Sequence, residues 1–592
     1  MQTNTTSKHA EYVPFPNSTL FKKSYPKFLR TQNRPLDLVL LLMLTLSALL
    51  PRILLARQLD VVTDETVYIL GAKIYFQQAT HLAFRSSAWD YNYEHPALVK
   101  LCIGLVLFLN AHLGHLFPEL FAARIPSILC GTLLVLAIYV LGKSPFGRAI
   151  AFPAALCLAF SPWLTYFSAL AYLDTPMTMF IALAFLLVWY APRYPWLYPL
   201  IAACIALGAA CKYPAALALP GLVAYILYVY LVQRRSLPVA ERPAIPWRWW
   251  LATCIVLPLV FLLVDPAIWR SPVRLLLHSL DFEWNHASEG HSFFLNGHVY
   301  FHVPFWTILF ITLAKMSLFV TVPAAGFLLL MLFRLISPLK KSRETRKPIE
   351  PQAILLFCWL LGILIPFSQL TIVVGTHYEL PVATPTALAA AYSLSMLITF
   401  LQRKRTDARH DVQRGEMSAE PQIAPGGLRI RWQGSLLLQI FLLCIVLAGP
   451  HLWGLLTNTA AEGYTSELFQ GENRILQVAY PGYREGALWL AQHTQGPANV
   501  GLVALVNTLP HSPDGVNWYS YNASLPARLS FSEAHPGAPT YSSYTYLIWP
   551  MHLVQRGYPL PPPRSMHIVH IITGGQTIYC YILARSTVSI SQ

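Results

Sequence analysis

Over the first 455 residues, apolar runs alternate with short polar stretches, and most runs are long enough to cross a bilayer. A spanning helix needs about 20 apolar residues. Such runs fall near 38–56, 121–140, 148–167, 175–191, 196–211, 214–233, 250–268, 316–334, 353–374, 378–400 and 434–455. The pattern predicts an α-helical polytopic membrane protein with about eleven transmembrane helices. A twelfth run, 97–115, holds Lys100, Asn110 and His112 in its interior, which suits a helix lying in the interface better than one crossing. From 458 to 592 the period changes to short strand-like runs at 500–506, 546–550, 566–573 and 577–583, with a helix expected at 485–493. This predicts a small external α/β domain after a transmembrane unit at 37–457.

Charge fixes the expected orientation. With 97–115 on the surface, one side receives residues 1–36 and the loops holding Lys143, Arg148, Arg193, Arg234, Arg235, Lys340, Lys341, Arg343, Arg403, Lys404 and Arg405. Every dense basic loop then lies on the same side, as the positive-inside rule requires of the cytoplasmic face. A crossing at 97–115 would put most of them outside. The expectation is a plasma-membrane protein with a cytoplasmic N-terminal tail (1–36), an uncleaved first span, an external loop at 57–120, a second at 269–315 and an external C-terminal domain. The net charge of +15 is accounted for by these loops, so nucleic acid is not an expected partner. Charged residues make up 12%, about half the soluble average. The nine cysteines lie mostly within apolar runs, and their spacing builds no disulfide framework or metal motif.

That topology gathers ionisable residues at the external mouth. The acids are Asp64 and Glu65, Glu94 beside His95, and Asp174. The bases are Arg124, Lys212 and Lys315, each at the outer end of an apolar run, with His377 and Tyr378 nearby. Ionisable groups at a membrane are costly, and by default they mark function. Singly, each reads as a snorkelling or capping residue. Their convergence on one side reads as a site. A sugar carried on a polyprenyl phosphate suits such a mouth. Cations would stabilise the leaving phosphate, and a carboxylate would take the acceptor's proton as general base. A single direct displacement inverts the anomeric centre.

The motifs TDETVY, YEHPALVK, AARIPS, YLDTPMTMF, LGAACKYPAAL, VDPAIW, HASEGHSFFLNGH, LAKMSLFV and THYELPVATP stand in this order along the chain. Together they resemble the protein O-mannosyltransferase and aminoarabinose-transferase superfamily of the GT-C fold, across nearly the whole chain. The resemblance implies a GT-C transmembrane domain with juxtamembrane helices in its first external loop. It implies Asp64 as the catalytic carboxylate, with Glu65 paired to it and Glu65 or Glu94 orienting acceptor or sugar. It places Arg124, Lys212 and Lys315 around the polyprenyl phosphate and Asp174 on the short outer loop at 168–174; His95, His377 and Tyr378 complete the expected substrate-binding set. The chain departs from the family at Pro96-Ala97-Leu98, where Pro-Pro-Leu is usual, and at Lys315-Met316-Ser317, where Lys-Thr-Pro is usual. The 269–303 loop is too short for the β-trefoil module of the mannosyltransferases of higher cells.

Four histidines (His286, His291, His298, His302) crowd the second external loop, but their spacing is not that of a zinc site. A monophosphate donor needs less neutralisation than a pyrophosphate, so no metal cofactor is expected. Trp518, Tyr519 and Tyr521 read as a half-buried strand or an interfacial patch rather than a sugar platform, and Asn522 begins a glycosylation sequon. The reading is thus an inverting glycosyltransferase moving a hexose or pentose from a polyprenyl-phosphate donor to a protein, lipid or glycan hydroxyl. The alternative is a transporter or flippase of lipid-linked sugars, which would show inverted repeats and mid-membrane charges in place of an acidic outer loop.

Overall fold

The structure, a computed structural model, describes residues 34–239, 242–336, 349–416, 427–469, 471–504, 525–536, 541 and 543–586. The N-terminal tail before residue 34, the basic segment 340–347, the aromatic run 518–521 and the sequon at Asn522 lie outside them. The described chain is a multi-pass helical protein with a small C-terminal sheet.

Among the described residues, seven helices are long and apolar enough to cross a membrane: Pro35–Gln58, Glu119–Phe146, Tyr213–Ser236, Trp247–Val264, Leu318–Ile336, Thr376–Gln402 and Leu436–Thr457. An eighth predicted span is a bent pair, Arg148–Phe160 and Pro162–Ser168, turned by 61° where Ser161 and Pro162 interrupt it. Proline in a helix removes a backbone donor and clashes with the preceding turn. The other three predicted spans are shorter helices, Asp174–Val188, Leu197–Cys211 and Pro351–Phe367. Each stops at a polar or proline-bearing junction, so the helix is shorter than the apolar run that predicts it. The run predicted to lie in the interface forms the 15-residue helix Leu98–His112, and it turns Lys100 and Asn110 inward.

Small residues let these helices approach closely. A Cβ on Gly362 would come within 2.5 Å of the Gly221 Cα, so any side chain there forces two helices apart. At the basic end of the bundle, Asp37 accepts from Arg148 Nε at 2.8 Å, Lys143 Nζ at 3.2 Å and Tyr139 at 2.7 Å. Two of the cations counted in the orientation argument therefore also tie the first span to the second, through Lys143, and to the third, through Arg148.

The loops at 57–120 and 269–315 add the helix Thr63–Thr80, the helix Pro272–Glu289, and a short antiparallel pair, β1 (Phe293–Leu295) and β2 (His298–Tyr300). The C-terminal region holds the helices Tyr483–His493 and Met551–Gln555. Its sheet has strands β3 (Ala498–Val503), β4 (Leu529–Ala534), β5 (Tyr546–Pro550), β6 (Met566–Gly574) and β7 (Thr577–Arg585), in the order β4-β3-β5-β7-β6. β3 is parallel to β4 and β5, while β7 is antiparallel to β5 and β6. Four strands and the first helix match the sequence pattern. β4 was not predicted, because LSFSEA has too few apolar residues to read as a strand.

The tail is tied to the membrane-spanning part by polar contacts. Lys315 Nζ donates to the carbonyls of Glu462 (2.6 Å) and Tyr464 (3.3 Å), and Glu467 accepts from Ser317 Oγ and the Leu318 amide. The Asp60 carboxylate accepts from the Arg484 amide at 2.8 Å.

Candidate active site

The Thr63–Thr80 helix begins after extended Val62, and Glu65 in its first turn reaches back to the Val62 amide at 3.0 Å. That contact is the acidic half of a capping box, and it fixes where the two neighbouring acids point. Glu65 turns inward and is fully buried. Its carboxylate accepts from Arg124 Nε (2.8 Å), Arg124 Nη2 (2.6 Å), the Val62 amide and the Ala171 amide (2.7 Å). Asp64 is half-buried, and its carboxylate makes no hydrogen bond or ion pair with any described residue. Two adjacent carboxylates thus have opposite situations, one saturated and one open.

Arg124 is equally occupied. Besides Glu65, its guanidinium donates to the carbonyls of Ala56 (2.8 Å), Leu59 (2.9 Å) and Asp60 (2.7 Å). All five donors of an arginine are used, and the side chain is fully buried. The expected place of Arg124 on a lipid phosphate, and that of Glu65 on the acceptor, do not fit this geometry. The pair instead clamps the loop before Asp64 onto the segment around Ala171 that leads into the Asp174–Val188 helix. Lys315, also expected at the phosphate, points its ammonium at the tail's carbonyls.

The remaining expected residues do converge, around two aromatic rings. Tyr68, one helical turn after Asp64, lies edge-on to Tyr172 at 5.9 Å and contacts His95 at 5.8 Å. Tyr172 packs against His377 at 5.2 Å, and His377 against Tyr378 at 4.9 Å. Lys212 lies over the Tyr378 ring at 3.7 Å and pairs with Asp174 at 2.9 Å. Burial, then the Asp64 carboxylate, pushes the Tyr68 and Tyr172 phenols well up, which places Asp64 at the same cluster. Helix breaks set these positions. Asp174 opens the Asp174–Val188 helix, and Lys212 sits extended between Cys211 and the Tyr213-Pro214 restart. The second Asp174 oxygen is buried without a partner.

Glu94 and His95 form the rim. Glu94 accepts from Asn92 at 2.5 Å. His95 faces Glu283 of the Pro272–Glu289 helix at 3.5 Å. Burial lowers His95 well below its usual value, with Lys212 and Lys100 adding to the effect, and burial pushes Glu283 up to about 7. Near neutral pH this contact is therefore between uncharged or half-charged groups rather than a strong ion pair. Lys100 holds the rim loop by donating to the Asn92 carbonyl (2.7 Å), the Asn92 side chain (3.1 Å) and the His95 carbonyl (2.7 Å), beneath the Tyr75 ring. A cavity of about 230 Å³ adjoins it, lined by Tyr93, His95, Asp265, Ile268, Leu275 and His278 among others.

The sequence reading missed Tyr68, Tyr172, Lys100 and Glu283. Tyr68 was accessible as the i+4 neighbour of Asp64 and Tyr172 as the residue two before Asp174. Nothing local marked Glu283. Among the described residues no group of three or more histidine, cysteine or carboxylate side chains has an arrangement that could hold a metal.

The model of the dolichyl-phosphate-mannose-protein mannosyltransferase family matches residues 95–263. Over that stretch, which takes in His95, Arg124, Asp174 and Lys212, the chain is mannosyltransferase-like. No curated protein matches the chain significantly. Among solved structures, the chain is similar to ArnT from Cupriavidus metallidurans bound to undecaprenyl phosphate. The identity is 14% and the TM-score 0.47, over 94% of this chain and 98% of that one. It is also similar to the archaeal oligosaccharyltransferase AglB from Archaeoglobus fulgidus in complex with an inhibitory peptide and a dolichol-phosphate. There the identity is 12% and the TM-score 0.44, over 80% of this chain and 62% of that one.

Proposed function

We propose that this protein is an inverting glycosyltransferase that moves a sugar from a polyprenyl phosphate to a hydroxyl acceptor at the outer membrane face. One observation carries the reading: the Asp64 carboxylate, free of protein partners among the described residues, lies within electrostatic range of Tyr68, Tyr172, His377 and Tyr378, and the buried ammonium of Lys212 packs on the Tyr378 ring of the same cluster, at the meeting of several helix ends. The neighbouring Glu65, held by Arg124, orients the helix turn that presents Asp64 and is a positioning residue.

In the proposed step, Asp64 takes the proton from the acceptor hydroxyl. The hydroxyl oxygen forms its bond to the anomeric carbon as the bond from that carbon to the phosphate oxygen breaks, and the electron pair leaves on the phosphate. Lys212 supplies positive charge where negative charge develops, which lowers the barrier in a site of low polarity. Tyr68, Tyr172 and Tyr378 offer ring faces and hydroxyls to a sugar. A monophosphate leaving group carries modest charge, so transfer without a divalent ion, insensitive to chelators, is part of the proposal.

The test is transfer from a panel of radiolabelled polyprenyl-phosphate sugars in membranes containing wild-type protein or Asp64→Asn. Transfer by wild type, reduced about 100-fold or more in the variant, is the expected result. Equal transfer by both proteins would overturn the role of Asp64, and transfer of no sugar by wild type would overturn the activity.

A further inference from the structure

The saturation of Arg124 leaves the proposed site short of the guanidinium that a phosphate is best recognised by. The described residues offer another, from the C-terminal region. Arg556 follows the Met551–Gln555 helix, and its Nε donates to the Gln477 side chain at 3.3 Å. Among the described residues this is its one hydrogen bond, so the two terminal nitrogens remain unused.

Gln477 is buried and joins three segments. Its side-chain oxygen also accepts from the Phe294 amide of β1, at 3.3 Å, and its amide donates to the Val374 carbonyl at 3.4 Å, three residues before His377. The neighbouring Gln555 clamps the same strip. It accepts from the Val478 amide and donates to the carbonyls of Asn473 and Leu476. The Asn296 amide adds a 2.6 Å bond to the Ile475 carbonyl. Arg556 is thus fixed at the junction of the second external loop, the approach to His377 and the tail, with its fork unoccupied. Burial lowers its affinity for the proton, and Asp64 is among the charges opposing that effect. The cation therefore stands within electrostatic range of the open carboxylate.

We infer that Arg556 is a phosphate-binding residue of the site, supplied by the C-terminal region to hold the phosphate of a lipid-linked donor beside Lys212. The inference rests on the reading in the preceding section. It also gives the tail a function. Docking through Lys315, Asp60 and Gln477 completes a site that the transmembrane part alone leaves with one ammonium and a saturated arginine.

The test is binding of undecaprenyl phosphate, and of the matching polyprenol without phosphate, to the purified full chain in detergent, followed by tryptophan fluorescence. The proteins are wild type, Arg556→Gln and Arg556→Met, the last keeping the apolar stem; thermal unfolding identifies any variant that fails to fold, and the other then carries the comparison. The expected result is that wild type prefers the phosphate form, that a folded variant binds it about tenfold or more weakly, and that polyprenol binding is unchanged. Equal phosphate binding by wild type and a folded variant would overturn the inference and leave the proposed transfer standing. Wild type that does not distinguish phosphate from polyprenol would overturn both.

Discussion

Arg124 and Glu65 meet in two parallel hydrogen bonds of 2.8 and 2.6 Å, both side chains fully buried. Breaking a buried pair by removing one partner strands the other charge and costs about 3–5 kcal/mol. Glu65→Ala should therefore lower the unfolding temperature of the detergent-solubilised chain by several degrees, with activity lost as a consequence. Asp64→Asn should leave the unfolding temperature nearly unchanged. Equal destabilisation by both variants would contradict the division of labour between these neighbours.

Lys212 sits between an anion and a ring, 2.9 Å from Asp174 and 3.7 Å from the Tyr378 centroid. Lys212→Met leaves Asp174 buried and unpaired, so it should lower both stability and transfer. Adding Asp174→Asn removes the stranded charge. The double variant should recover most of the stability but none of the activity, as thermal unfolding and sugar transfer would record. Tyr378→Phe keeps the ring and should stay within a few fold of wild type. Tyr378→Ala should lose the cation–π contact, worth about 0.5–2 kcal/mol, or roughly 2- to 30-fold in transfer.

The rim loop hangs on one ammonium, because Lys100 binds the carbonyls of both Asn92 and His95. Lys100→Met should raise amide hydrogen exchange across residues 90–97 and increase KM for the lipid-linked sugar more than it lowers kcat. Unchanged exchange there would show that the loop is held by other contacts, such as the bond from the Ala97 amide to Asp265.

Much of this arrangement was legible in the chain itself. Apolar runs located the helices, and charge asymmetry gathered Asp64, His95, Asp174, Lys212 and His377 into one set before any coordinates. Which members of the set are available for chemistry was not legible. Glu65 and Arg124 lie 59 positions apart, and only three-dimensional packing reveals that each fills the other. Arg556 gave no signal because it lies in a polar tail, where a single arginine is ordinary; its significance comes from the Gln477 contact, 79 positions away. Helix lengths were not legible for a different reason. Hydropathy sees composition, whereas helix length at Asp174–Val188 and Leu197–Cys211 is set by where polar residues and prolines end each helix.

The join between the tail and the loop that carries Asp64 has a pH dependence. Asp60 is buried, and burial together with the neighbouring Glu485 pushes its carboxyl up to about 7 from 3.8. Glu485 is itself raised, by burial first, and shares the Tyr480 hydroxyl, which donates to Glu485 at 2.7 Å and accepts from the Asp60 amide at 3.0 Å. Between pH 4 and 7 the folded chain holds a proton on Asp60 that the unfolded chain has lost. Stability then falls as pH rises through this window, at up to roughly 1.4 kcal/mol per unit for one proton, and levels off above it. Glu485→Gln removes the like charge while keeping an acceptor for Tyr480. Asp60 should then ionise at lower pH, so the variant should lose less stability than wild type between pH 5 and 8. Thermal unfolding of the full chain across that range reads the slope directly, and identical slopes for the two proteins would rule out this carboxyl pair as its source.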